Sequence, residues 1–236
     1  MTPSFAHALI VGAGSGLSAS LARLFRAEGL AVSLAARTPD DLAPLAAETG
    51  AATYACDAAD HGAVAEMFAA LDAAPAGPPD VVVYNPSARQ RGQLTTLDPE
   101  TVRKAVEVTA LGAFFTAREA ALRMEPKGHG ALLFTGASAG VKGYPGSAPF
   151  AMGKFALRGL AQSLARELHP KGIHVGHFVI DGGIRNLRRD DRLEAPDKPD
   201  SMLDPDAIAR SYWHFLRQDR SAWAWEIELR PWVETF

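Results

Sequence analysis

The sequence predicts an α/β fold: a single domain with a doubly wound, seven-stranded parallel sheet and helices on both faces. Seven short apolar runs alternate with stretches of helical periodicity along the 236 residues, and the first run ends in glycines. This alternation is typical of strand–helix–strand units, whose strands run parallel. Neither an internal repeat nor a linker divides the chain, so 1–236 is interpreted as one domain. The predicted strands are 8–11, 31–36, 53–56, 80–84, 130–135, 173–180 and 225–230.

Helices are predicted where apolar residues recur at intervals of three and four residues. Pro39 opens one of them at the first turn, where proline is tolerated, and Thr38 is its candidate cap. The other predicted helices are 18–28, 63–71, 99–124, 147–169 and 204–216. In the longest helix the residues expected to face inward are Val102, Val106, Leu111 and Phe115.

Composition and charge narrow the classes of function. Charged residues make up 22% of the chain and the formal net charge is −3, with no block of like charge. Neither nucleic acid nor a membrane surface is therefore expected as a partner. Cys56 is the sole cysteine, which excludes an internal disulfide and fits a reducing compartment. No apolar run has the length of a membrane span, and the first strand starts too early for a signal peptide. We expect a cytoplasmic protein that acts on a small molecule, without a metal site.

A glycine-rich turn, 12–16, follows the first predicted strand. Glycine lets backbone N–H groups approach a phosphate, and the next helix adds the positive end of its dipole. Leu17 stands where the G-x-G-x-x-G fingerprint needs glycine. A different spacing, G-x-x-x-G-x-G, is met at Gly12 and Gly16 but has Ser18 in place of its last glycine. We expect Gly12, Ser15, Gly16 and Leu17 to hold a dinucleotide diphosphate. The alternative is a turn that binds no ligand.

The end of the second strand indicates which nicotinamide cofactor is preferred. An acidic residue there binds the ribose 2′-hydroxyl of NAD, whereas an arginine accommodates the 2′-phosphate of NADP. The chain has Arg37 and no acid before Asp40. This pattern favours NADP, with NAD as the alternative cofactor, unless Arg37 is only a surface residue at the strand end.

One segment, 182–203, breaks the alternation of strands and helices. It has no clear periodicity and contains five basic and five acidic residues. It follows the carboxyl end of a predicted strand, where ligands bind in open α/β sheets, and long loops in compact domains are usually functional or disordered. We predict that 182–203 is a substrate lid; the alternative is a solvated surface loop.

Phe150 and Lys154 are four residues apart in the predicted helix 147–169, so they share one face. A tyrosine at position 150 would be an evident acid catalyst beside the lysine. Phenylalanine has no transferable proton, and whether the protein is an enzyme depends on this position.

The chain resembles the short-chain dehydrogenase/reductase family over nearly its whole length. The matches are Gly12-x-x-x-Gly16, Cys56-Asp57, Tyr84-Asn85-Pro86-Ser87, the helix with Lys154, and a last strand at 225–231. The resemblance implies a Rossmann-like fold and an NAD(P)-dependent oxidoreductase. It also implies that Asp57 contacts the adenine and that Asn85 lies under the cofactor. Lys154 would then bond the nicotinamide ribose, and the backbone of Ile184 would meet the carboxamide.

The chain departs from the family's pattern at the catalytic residues. The family's catalytic tetrad is Asn, Ser, Tyr and Lys, and only Lys154 matches it cleanly. Thr109 stands at the Asn position and Phe150 at the Tyr position. The usual Ser spacing falls on Ala137, and Ser138 is one residue later.

Three interpretations of the site remain open. In the first, another group replaces the tyrosine; the candidates are Tyr144, Ser138, Ser147 and His177, each of which also fits a packing or capping role. In the second, the reaction needs less acid, as in hydride delivery to a protonated imine or to a polarised double bond. In the third, the site binds nucleotide without turnover, and the protein is a sensor or a partner subunit.

Two further features concern partners. Arg89 and Arg91 follow the fourth strand, where they suit an acidic substrate or are solvated surface arginines. The helices 99–124 and 147–169 carry apolar residues on more than one face, and such helices pair with their copies in the family. This predicts a homodimer or homotetramer with two-fold axes.

Overall fold

The computed structural model describes residues 4–189 and 192–235, and it confirms the predicted fold class. Seven parallel strands form one sheet, which helices cover on both faces. The strands of this sheet are β1 (His7–Val11), β2 (Ala31–Ala36), β3 (Ala52–Ala55), β4 (Val81–Tyr84), β5 (Gly130–Thr135), β6 (Ile173–Ile180) and β9 (Glu226–Leu229). Two shorter strands, β7 (Gly183–Ile184) and β8 (Met202–Leu203), pair with each other in a separate sheet. The α-helices are α1 (Leu17–Ala27), α2 (Ala43–Thr49), α3 (His61–Ala73), α4 (Pro99–Val106), α5 (Gly112–Met124), α6 (Ala148–Leu168) and α7 (Pro205–Leu216).

The order of the strands creates a crevice at one edge of the sheet. The order is β3-β2-β1-β4-β5-β6-β9, and all neighbours are parallel. Chain order reverses between β1 and β4, where Val11 lies beside Tyr84. Open α/β sheets bind ligands at such a switch point, outside the carboxyl ends of the strands. The segments that follow β1 and β4 therefore form two sides of one crevice.

The sheet separates two hydrophobic cores because successive strand residues point to opposite faces. In β1, Ala8 and Ile10 pack with side chains of α1 and α7, whereas Leu9 and Val11 pack with α3, α5 and α6. All four residues are at most 1% exposed. A strand buried on both faces has a continuous apolar sequence, which is why the sequence identified the central strands β1, β4 and β5.

The predicted helix 99–124 is interrupted. A π-helical turn, Glu107–Leu111, joins α4 to α5. Such a turn inserts an extra residue and rotates the helix face that follows. The prediction that Leu111 faces inward is wrong for this reason: Leu111 is 47% exposed, and Thr109 and Ala113 are fully buried instead.

Thr38 does not cap the helix that starts at Pro39, so this prediction is wrong. Its side chain makes no capping hydrogen bond. Pro39–Leu42 forms a 3₁₀ turn ahead of α2, and the N–H of Asp41 donates to the carbonyl oxygen of Thr38 at 3.3 Å. The tight 3₁₀ turn satisfies this N–H by its own i→i+3 bond.

The segment 182–203 is closed at its base. Its two ends pair as β7 and β8, with Ile184 beside Leu203. Asp190 and Asp191, two of its acidic residues, lie outside the described residues. The role of this segment as a lid stays a prediction. Within 4–189 and 192–235, no helix is long and apolar enough to cross a membrane.

Candidate functional site

A groove of about 660 Å³ opens beside the turn that follows β1; we call it the glycine groove. Residues that line it include Gly12, Ala13, Gly14, Ser15, Arg37, Asp57, Asn85, Ser87, Ala88 and Arg188. Gly12 has a φ of +73°, and a Cβ at this position would lie 2.6 Å from Cγ of Pro86. Glycine is therefore required where the turn after β1 packs against the segment after β4.

The N-terminus of α1 and the open turn before it suit a diphosphate. A Cβ added at Gly14 meets nothing within 4 Å, so the space above this residue is open. The helix α1 begins at Leu17, after Gly16, and no side chain caps its first turn. The first N–H groups of such a helix have no intrahelical partner and carry the positive end of the dipole. Together with Ser15, which is exposed in the groove, these residues fit the diphosphate of a dinucleotide.

Arg37 and Asp57 line the same groove at the ends of two neighbouring strands, β2 and β3. Both side chains are exposed, and Asp57 accepts a hydrogen bond from the N–H of Ala59 at 3.0 Å. The groove thus offers a guanidinium group, which suits a phosphate, and a carboxylate, which suits an amino group.

Asn85 and Ser87 line both the glycine groove and a second cavity, so the two spaces meet at these residues. The amide nitrogen Nδ2 of Asn85 donates to Oγ of Ser18 at 2.8 Å, and Ser18 in turn donates to the carbonyl oxygen of Gly12 at 3.3 Å. The backbone N–H of Asn85 donates to the carbonyl oxygen of Val11 at 3.0 Å. These bonds fix Asn85 at the junction between β1 and β4.

The second cavity, of about 430 Å³, contains most of the predicted chemistry; we call it the lysine pocket. It is lined by Gly16, Leu17, Asn85, Ser87, Arg89, Thr135, Gly136, Ala137, Ser138, Phe150, Lys154, Ile180, Gly182, Ile184, Asn186, Arg189 and Arg192. Lys154, Ser138, Phe150 and Ile184 therefore come together here. Lys154 and Phe150 lie on α6, Ser138 follows β5, and Ile184 follows β6. The parallel sheet brings these elements together because the carboxyl ends of its strands lie at one edge.

Lys154 is the buried charged group of the pocket. Its side chain is 2% exposed, and Nζ donates to the carbonyl oxygen of Thr135 at 2.7 Å. Nζ also lies 5.9 Å from the ring centroid of Phe150. Burial lowers the pKa of Lys154 to about 7, because the ammonium form loses its hydration.

The ring of Phe150 lies near two cationic side chains and carries no hydroxyl group. The guanidinium carbon of Arg89 lies 5.2 Å from the ring centroid, a cation–π distance. Arg89 is exposed at the rim of the pocket, whereas Phe150 is partly buried in it. Position 150 is thus a packing surface between Arg89 and Lys154, and it cannot donate a proton.

Thr109 is fully buried in the π-helical turn and does not line the lysine pocket. Its Oγ1 accepts a hydrogen bond from the N–H of Ala88 at 3.3 Å. A Cβ added at Gly153, on α6, would lie 2.8 Å from Cβ of Thr109. Thr109 therefore holds the segment after β4 and packs tightly against the helix that carries Lys154.

The four candidates to replace the tyrosine lie in different places. Ser138 lines the pocket, whereas Tyr144 is 41% exposed outside it, with Lys142 Nζ 5.7 Å from its ring centroid. Ser147 is buried and does not line the pocket. His177 is fully buried in β6, and burial lowers its pKa to about 4 despite a 3.0 Å contact between Nδ1 and a carboxylate oxygen of Glu226.

Asn186 is a site residue that the sequence did not indicate. Its Nδ2 donates to Oγ of Ser15 at 3.2 Å, which links the segment 182–203 to the glycine turn. The two residues are 171 positions apart, and no local pattern marks Asn186. The contact joins part of the predicted lid, in the lysine pocket, to Ser15 in the glycine groove.

Comparison with known proteins agrees with this geometry. The sequence model described as short chain dehydrogenase matches residues 6–185. A 3-dehydrosphinganine reductase of Arabidopsis thaliana is 33% identical over 180 residues, which are 72% of this chain and 53% of the reductase. The chain thus spans about half the length of this reductase and of a second one from the same plant.

Solved structures match nearly the whole chain. The crystal structure of a short-chain dehydrogenase from Rhodopseudomonas palustris is 35% identical, with a TM-score of 0.83, and covers 98% of this chain and 100% of that one. A metagenomic short-chain oxidoreductase in complex with NADP is 24% identical, with a TM-score of 0.82, and covers 97% of this chain and 98% of that one. The sequence match, the strand order and the lysine on α6 lead to one conclusion: the chain belongs to the short-chain dehydrogenase/reductase family.

Proposed function

We propose that the protein is an NAD(P)-dependent oxidoreductase with an atypical active site and a preference for NADP. The observation that carries this proposal is the continuity of the glycine groove with the lysine pocket through Asn85 and Ser87. A bound nicotinamide cofactor would exchange a hydride with the substrate. Arg37, at the end of β2, supports NADP because its guanidinium suits a 2′-phosphate.

The residues that would hold the cofactor follow the two cavities. The candidates along the glycine groove and the junction are Gly12, Ser15, Gly16, Leu17, Arg37, Asp57 and Asn85. In the lysine pocket, Lys154 would bond the nicotinamide ribose and the backbone of Ile184 would meet the carboxamide. Asn186 adds a contact from the lid to Ser15.

Lys154 is the group that supplies the proton. Once a substrate carbonyl carbon had received the hydride that the bound cofactor would supply, its oxygen would carry the negative charge and need a proton. The Nζ–H bond of Lys154 then breaks as the O–H bond forms, which leaves an alcohol and a neutral amine that solvent reprotonates. A donor is most effective when its pKa lies near the working pH, and burial lowers the pKa of Lys154 to about 7. Ser138 would polarise the carbonyl, and the ring of Phe150 packs beside Lys154.

A second function is nucleotide binding with weak or no catalysis, in a sensor or a partner subunit. The observation that favours it is Phe150, which lacks the hydroxyl, together with Tyr144, which does not line the pocket. In this case Lys154 would only hold the ribose.

We also propose a homodimer or homotetramer. Large apolar side chains are exposed on the π-helical turn, α5 and α6, namely Leu111, Phe114, Leu122, Met152 and Phe155. Pairing of these helices about a two-fold axis would bury them. A monomer in light scattering at micromolar concentration would contradict this assembly.

Titration and turnover together test the proposed function. NADPH and NADH are titrated by calorimetry, and a panel of ketones, imines and enones is then assayed near pH 6.5. We expect NADPH to bind and at least one class to be reduced. The control is Gly14→Asp, whose side chain enters open space without meeting protein atoms and repels the diphosphate, so it removes binding and leaves the Tm unchanged. No heat with either cofactor overturns the proposal, whereas binding without any turnover supports the second function.

A further inference from the structure

The described lining of the lysine pocket contains several cationic side chains. Arg89, Lys154, Arg189 and Arg192 line it, and no Asp or Glu does so among the described residues. Arg89 and Lys154 lie against the same ring, 5.2 Å and 5.9 Å from the centroid of Phe150. The side of the pocket formed by Arg89, Phe150 and Lys154 is therefore suited to bind a negatively charged group.

The charges that act on Arg89 are repulsive. Partial loss of hydration lowers the pKa of its guanidinium, and the cations Arg91 and Arg192 lower it further. Among residues 4–189 and 192–235, no acidic side chain counters these effects. A negatively charged ligand beside Arg89 would offset the repulsion between the cations. Its hydrogen bonds would also replace those that the guanidinium loses to water.

The backbone around Arg89 is held on both sides. The N–H of Ala88 donates to Oγ1 of buried Thr109 at 3.3 Å, which ties this side to the π-helical turn. On the other side, the N–H of Gly92 donates to the carbonyl oxygen of Gly146 at 3.0 Å, which ties it to the loop before α6. Stacking on Phe150 then directs the guanidinium over the pocket. Arg89 is thus a positioned group.

We propose that the substrate of this pocket carries an anionic oxygen group, a carboxylate or a phosphate, which Arg89 binds while Lys154 faces the reacting carbonyl. The inference rests on the proposed function, whose substrate class it names. A guanidinium donates two parallel hydrogen bonds to such a group, which fixes its orientation as well as its charge. The ring of Phe150 carries no charge, so on this side of the pocket Arg89 is the group that discriminates between charged and neutral substrates.

The test compares each charged substrate with its neutral counterpart. Acetoacetate is compared with methyl acetoacetate, and dihydroxyacetone phosphate with dihydroxyacetone, by kcat/KM in the wild type and in Arg89→Gln. We expect the wild type to prefer the charged member of at least one pair. Arg89→Gln should lower kcat/KM for that member by roughly 10- to 100-fold, the range for a lost charge-assisted hydrogen bond, and change the neutral member little. The pair that responds identifies carboxylate or phosphate.

Arg91→Gln is the matched control, because Arg91 is exposed, carries the same charge and does not line the pocket. Its preference for the charged substrates should equal that of the wild type. Equal use of charged and neutral substrates by the wild type overturns the inference, as do equal effects of the two substitutions.

A binding measurement separates this inference from the proposed function. Acetoacetate and dihydroxyacetone phosphate are titrated by calorimetry into the NADP⁺-loaded protein, where no reduction occurs. If Arg89→Gln abolishes this binding while the wild type reduces no substrate, the inference stands and the proposed catalysis fails. If neutral carbonyl compounds are reduced and neither anion binds, the catalysis stands and the inference fails.

Discussion

The glycine groove and the lysine pocket share one crevice but are built differently. The groove is shaped by backbone: the turn at Gly12, the open space at Gly14 and the uncapped start of α1. The pocket is shaped by side chains from different elements, with Lys154 and Phe150 on α6 and Arg89 after β4. The first depends on the course of the main chain, and the second on the identity of a few side chains.

The glycine groove and the lysine pocket therefore respond differently to substitutions. A substitution such as Phe150 in the pocket alters the proton chemistry without moving the strands that hold the groove. In the groove, a Cβ at Gly12 would overlap Pro86, so even a methyl group would displace the main chain. The family fold and its nucleotide groove can therefore persist while the chemistry beside them changes.

The largest expected effect comes from restoring the tyrosine in the pocket. At pH 9, where Lys154 has lost its proton, Phe150→Tyr should raise kcat for carbonyl reduction by roughly 10²- to 10⁴-fold, the contribution of a positioned general acid. The wild-type rate should fall as the pH rises through the pKa of Lys154, about 7, because only the ammonium form donates. Steady-state kinetics from pH 5.5 to 9 measure both effects.

Phe5→Tyr is the control for this substitution, since Phe5 precedes β1 and lines neither the glycine groove nor the lysine pocket. It should leave kcat unchanged. An unchanged kcat in Phe150→Tyr would show that the pocket is not an intact reductase site.

A smaller effect is expected in the glycine groove. Arg37→Ala should weaken NADPH binding by roughly 10- to 100-fold, because a charge-assisted contact with the 2′-phosphate is lost. NADH, which lacks this phosphate, should bind as before. Calorimetry with both cofactors measures the change, and Arg26→Ala, an exposed arginine on α1, serves as the charge-matched control. Parallel losses for NADPH and NADH would contradict an assignment of Arg37 to the phosphate.

A further prediction concerns the stability of the fold, measured separately from binding and rate. The pKa of Lys154 is about 7 in the folded chain, below the ordinary value of 10.5. Between pH 7 and 10.5 the unfolded chain holds a proton that the folded chain has released, so stability rises with pH in this window. Below pH 7 the cost of burying the ammonium is fully present. Lys154→Met should therefore stabilise the fold by about 2–4 kcal/mol at pH 6 and by much less at pH 10.

Thermal unfolding at the two pH values measures this difference. Lys104→Met, at an exposed position on α4, removes a solvated charge and should show no such dependence on pH. Equal changes in Tm at pH 6 and pH 10 for Lys154→Met would mean that the buried lysine does not titrate in this range.

The sequence by itself determined the order of strands and helices, the glycine turn and the spacing of Phe150 and Lys154. These features are local: apolar runs, helical periodicity and glycines are read within a few residues. The chemical change at position 150 was visible for the same reason. The loss of the tyrosine hydroxyl follows from the residue type at this one position, so no knowledge of contacts between distant residues is needed.

Only the tertiary structure decided which side chains meet. The π-helical turn rotated Leu111 outward and Thr109 inward, toward the segment of Arg89. Asn186 reached Ser15 across 171 positions, and Arg89 came to lie on Phe150. The physical reason is that a parallel sheet gathers the carboxyl ends of its strands at one edge. Residues far apart in the chain become neighbours there, and local periodicity carries no record of such contacts.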